Sequence, residues 1–81
     1  MPFPSQVYVR ANSKAALNRD LEAGVSFEAL YYGFRHNDVF DLETLPDGCV
    51  VKVFDKYVDG TPYAKAYGTI KRKPDGTVRV A

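Results

Sequence analysis

The sequence predicts a two-layer α+β domain, with one short helix packed on a curved antiparallel sheet of about five to six strands. Three observations carry that reading. Short runs of alternating apolar and polar residues recur along the chain, the period of a strand with one buried face. A single stretch, Lys14 to Ala23, has helical spacing between capping residues and a glycine. Three turn signals, Pro46-Asp47-Gly48, Asp59-Gly60 and Pro74-Asp75-Gly76, divide the second half into strand-length pieces. The alternative is a small, partly open β-barrel, since strands of ten residues often bend. Eighty-one residues suit one domain, with residues 1–5 and their two prolines as a loose lead-in.

Taking the elements in order, Gln6 to Ala11 alternates, with Val7 and Val9 on one face and Tyr8 and Arg10 on the other. Asn12 and Ser13 then offer side-chain oxygens to the orphan amides of a first helical turn. In Lys14 to Ala23 the apolar stripe is Ala16, Leu17, Leu21 and Ala23, and Gly24 is placed to end the helix in a left-handed conformation. Val25 to Phe34 reads as a strand because adjacent tyrosines favour a pleated surface, although Ser26 could cap a further helical turn. Phe34 to Asp38 reads as a turn and Val39 to Leu42 as a short strand. Cys49 to Val58, Pro62 to Lys73 and Thr77 to Val80 then form a three-stranded meander.

Composition narrows the classes. Hydrophobic residues make up 46% of the chain and aromatics 14%, with a net charge of +1, a globular balance rather than a disordered one. No apolar run approaches the roughly 18 residues of a membrane helix, and the N-terminus lacks the order of a signal peptide, so the expected location is the cytoplasm. One cysteine and one histidine furnish neither a disulfide framework nor a four-ligand zinc site. No cofactor is expected.

Charge is unevenly placed. Residues 1–48 balance at −3, and residues 49–81 balance at +4. In the long strand after Asp59-Gly60, alternation puts Tyr63, Lys65, Tyr67, Thr69 and Lys71 on one face. Lys52, Lys56 and Arg79 would lie beside that face if the register allows. A tyrosine and lysine surface suits protein recognition, because tyrosine buries a large area at low entropic cost and keeps a polar tip. It also suits single-stranded nucleic acid, with rings stacking on bases and cations meeting phosphates; in that reading Arg72 joins the basic set. A solvated strand face has the same composition. Self-association through an open sheet edge at Thr77 to Val80 is a third route.

Catalytic chemistry finds little footing. His36 and Cys49 are the only thiol and imidazole, and Cys49 opens an apolar strand where a cysteine behaves as a small hydrophobe. Asp38, Asp41 and Glu43 lack the loop glycine and ligand count of a calcium site. The glycines form no phosphate-binding cluster between a strand and a helix. A non-enzymatic binding module is the expectation.

The stretch from Leu45 to Lys71, "LPDGCVVKVF" followed by "DGTPYAKAYGTIK", resembles small accessory proteins of bacteriophages and related mobile elements. The resemblance covers about a third of the chain. It implies a phage-type protein in the cytoplasm of a host cell, docking on a host macromolecule through the tyrosine and lysine face.

Overall fold

The structure is a computed structural model that describes residues 3–32 and 37–81. Strand β1 (Gln6–Arg10) leads into helix α1 (Lys14–Glu22), followed by β2 (Glu28–Tyr32) and β3 (Asn37–Asp41). One turn of 3₁₀ helix (Leu42–Thr44) precedes the meander of β4 (Val50–Val58), β5 (Thr61–Arg72) and β6 (Val78–Val80). The six strands form one curled sheet in the order β3-β2-β1-β4-β5-β6, a half-barrel with the helix on one side.

Local chemistry explains the elements. Ser13 is extended at the N-cap of α1, and its Oγ accepts from the Ala16 amide at 3.0 Å. At the other end the Gly24 amide donates to Leu21 O and the Val25 amide to Asp20 O, at 3.1 and 2.9 Å. Those two bonds, with Gly24 at φ +89°, make a Schellman ending. They also hold Val25 in the helix tail, so β2 begins at Glu28 rather than at Val25. Asp59 and Gly60 both have positive φ, 52° and 79°, the geometry whose twist matches a tight hairpin between β4 and β5.

Four of the five strand pairings are antiparallel, as expected, and the central one is not. β1 and β4 run parallel, from Gln6 opposite Val50 to Arg10 opposite Phe54. The chain after β3 crosses the sheet before entering β4, and it carries Leu42, Leu45 and Cys49 into the core on the way. Leu42 was expected to close a strand; it starts the 3₁₀ turn instead. Asn37 and Asp38, expected in a turn, belong to β3. The rest of that expected turn, Phe34 to His36, lies outside the described residues, as does the expected end of the preceding strand at Gly33 and Phe34.

The core holds Val7, Val9, Ala29, Val51, Val53, Ile70, Val78 and Val80 from the sheet, against Leu17 and Leu21 from the helix. Each fully buried valine or leucine contributes about 1.5–3 kcal/mol. The helix lies chiefly over β6 and β5. Gly68 permits this: a Cβ there would stand 2.5 Å from both Ala81 O and Val80 Cγ1. Glycine is thus required at position 68 by the closeness of the C-terminal strand.

Candidate binding face

The alternate residues of the strands point away from the helix and build a second surface. Register sets one row across it: Val39 opposite Leu30, Leu30 opposite Tyr8, Tyr8 beside Lys52, and Lys52 opposite Tyr67. The Lys52 ammonium sits 5.2 Å from the centre of the Tyr8 ring, a cation–π contact. In the neighbouring row Phe54 is only 3% exposed, yet it stands outside the main core cluster. Its cover is aromatic, with Tyr8 at 6.1 Å and Tyr57 at 5.2 Å, both edge-on.

Two irregularities in the β4–β5 ladder, between Val53 and Phe54 and between Phe54 and Tyr57, create that cover. Bulges bend a hairpin and raise its twist. Here the bend carries the hairpin tip back across the sheet, where Tyr32 Oη on β2 donates to Gly60 O at 3.1 Å. Between this arm and the sheet lies an open groove of about 380 Å³. Phe54 and Tyr57 line its arm side, and Tyr8, Leu30 and Val39 line its sheet side, with Arg10 and Glu28 among its polar groups. Sequence reasoning missed this groove, because nothing in the local pattern announces a bulge.

The bulges also shift the phase of β5. Ala66 pairs with core-facing Val53, but Ala64 pairs with Phe54 and Pro62 with Tyr57. Ala64 and Pro62 therefore share the aromatic face, and Tyr63 points to the opposite side from Tyr67. The expected single face of Tyr63, Lys65, Tyr67, Thr69 and Lys71 is corrected to its second half. Both tyrosines are exposed, 56% and 59%, but on different surfaces. Lys65 turns to Asp55, with Nζ to Oδ2 at 2.6 Å. That contact holds the Asp55 carboxyl below the ordinary aspartate range, chiefly through the hydrogen bond from Lys65. Lys56 is exposed in the second bulge, beside Asp55.

At the far side Lys71 stands directly opposite Arg79, a like-charge pair that favours a nearby anion. Lys52, Tyr67, Lys71 and Arg79 are thus together on this face, as the sequence predicted. Arg72 is withdrawn from it: its backbone amide donates to Asp47 Oδ1 at 3.1 Å, and its guanidinium donates to Glu43 O. Glu28 and Asp41 form a like-charge pair at the opposite end. The face runs from acidic to basic along the sheet order.

Other candidates fall away. Cys49 is buried, its thiol directed at Pro4 O, and desolvation pushes its pKa up. Among the described residues no group of His, Cys, Asp and Glu is placed to hold a metal ion, and no helix is long and apolar enough to cross a membrane. The edge at Thr77 to Val80, expected to be open, is capped by the helix at Val80. Asn18 Nδ2 donates to Val80 O, and the Val80 amide donates to Asn18 Oδ1, both at 2.8 Å.

Comparison with protein-family models, with curated proteins and with solved structures finds no match for this chain.

Proposed function

We propose that the chain is a small, non-enzymatic protein-binding module that docks on its partner through the groove between the bent hairpin and the sheet. The observation that carries this is the Phe54–Tyr57 arm held over Tyr8, Leu30 and Val39. It leaves an open cleft, aromatic and aliphatic on its two walls with Arg10 and Glu28 among its polar groups, of a size to receive one large side chain of a partner. Aromatic anchors in such clefts dominate protein interfaces. Lys52, Lys71 and Arg79 extend the contact towards an acidic segment of the partner. The resemblance of Leu45 to Lys71 to phage accessory proteins supports a host macromolecule as that partner, met in the host cytoplasm.

The test compares capture by the immobilised wild-type protein with capture by Tyr57→Ala and Val39→Asp variants. Each change should weaken the complex by about 1–2 kcal/mol or more. Tyr63→Ala, on the other surface, should leave it intact. Equal affinity for the groove variants and the wild type would overturn the reading.

A second reading, single-stranded nucleic-acid binding, is favoured by the Tyr8–Lys52–Tyr67 row and the Lys71–Arg79 pair. It requires affinity for short oligonucleotides that falls steeply with salt. Fluorescence titration at low salt decides it, and absence of binding at micromolar protein removes it.

A further inference from the structure

The two edges of the sheet are treated differently. At β6 the outward donor and acceptor of Val80 are both taken by Asn18. At the other edge β3 has β2 on one side and no strand on the other among the described residues. The phase of its hydrogen bonds follows from the Leu42 amide, which donates to Phe27 O at 3.0 Å in continuation of the β2–β3 register. Antiparallel pairs alternate between bonded and non-bonded. Phe40 and Asp38 therefore bond towards β2, while the backbone groups of Asn37, Val39 and Asp41 point outward; the Asp41 carbonyl accepts from Thr44 Oγ1 at 2.7 Å and keeps its second lone pair for a further donor. Val39 is 59% exposed.

We propose that two copies of this chain pair antiparallel through β3, with Val39 opposite Val39 on a two-fold axis, joining two six-stranded sheets into one. Only this register brings every outward group of one strand against an outward group of the other: Asn37 meets the second copy's Asp41, and Asp41 meets its Asn37. The side chains are self-complementary in the same register. No like charges face each other, and the Asn37 amide donates to a carboxylate that in the single chain stands opposite Glu28. Such reciprocity is what a closed two-fold interface demands. A five-residue strand also supplies little buried area, so the association is weak and concentration-dependent. Because Val39 lines the groove, pairing sets the two grooves side by side about the axis. The proposal uses the edge alone and holds whether or not the groove binds a partner.

Cross-linking tests the register. Opposite residues of a bonded antiparallel pair have Cα atoms about 5.5 Å apart, within disulfide range. Val39→Cys should give a covalent dimer on mild oxidation. Asn37→Cys should not, because the two copies of position 37 would lie roughly 14 Å apart along the strands. Cys49 is buried and does not compete. Sedimentation equilibrium supplies a second measurement. Asn37→Asp places two carboxylates opposite each other twice and should weaken dimerisation roughly tenfold, whereas Asn37→Lys should strengthen it. A wild-type chain that stays monomeric up to millimolar concentration would overturn the proposal. So would equal cross-linking at positions 37 and 39, or a shift in the same direction for both charge variants.

Discussion

Asn18 and Val80 hold each other through two hydrogen bonds of 2.8 Å, the side-chain amide matching the backbone of a strand 62 residues away in sequence. A side chain here stands in for the next strand of the sheet.

Asn18→Ala should therefore destabilise the fold by about 2 kcal/mol, since it leaves the part-buried amide and carbonyl of Val80 without their partners. Urea denaturation measures the loss. The same variant uncovers the β6 edge and should scatter more light as its concentration rises. An unchanged urea midpoint would show that water replaces the amide at no cost.

Gly68 is a matter of space rather than of backbone freedom. Gly68→Val should cost about 1–3 kcal/mol, because its Cβ would meet the Ala81 carbonyl and the Val80 side chain at 2.5 Å. Thermal unfolding of the variant, with Gly76→Ala as a surface control, separates crowding between strands from strain in a turn.

Stability should fall in acid. Asp75 accepts from the Thr77 amide at 2.9 Å, and this bond lowers its pKa, as the Lys65 hydrogen bond lowers that of Asp55. A carboxyl whose folded pKa is depressed contributes fully above its unfolded value, near 3.8. That contribution is lost as pH drops through the folded pKa. Urea midpoints measured from pH 6 down to pH 2 should decline through this window. The decline should be shallower in Asp75→Asn, which keeps an acceptor but does not titrate; identical curves would assign the acid limb to other groups.

The Cys49 thiol reports on unfolding. Burial raises its pKa and shields it, so a disulfide reagent at neutral pH should react far more slowly with the native protein than with the protein in urea. Fast labelling of the native state would mean that the Pro4 segment opens readily.

What the residues disclosed beforehand was local. Ser13, Gly24 and the Asp59-Gly60 pair each act within a few positions, and each sits where its chemistry requires. Non-local features were hidden. Nothing near Val7 shows that its strand will lie beside Val51 in parallel, because that choice depends on how the chain returns after β3. The alternation of Tyr63, Lys65 and Tyr67 is perfect on paper, but the bulges opposite Val53 and Phe54 break its phase. The groove follows from that break, so it was no more legible than the bulges themselves. Lys52, Tyr67, Lys71 and Arg79 were correctly grouped because the ladder is regular where they sit.

The parallel union of β1 with β4 bears on how the polypeptide is made. During synthesis the first strand emerges more than forty residues before its central neighbour, and closing so long a loop is slow. Until Val50 to Phe54 leave the ribosome, β1 has only β2 beside it in the sheet. The nascent chain should thus assemble late and all at once, and truncation before residue 50 should yield a fragment without a stable core.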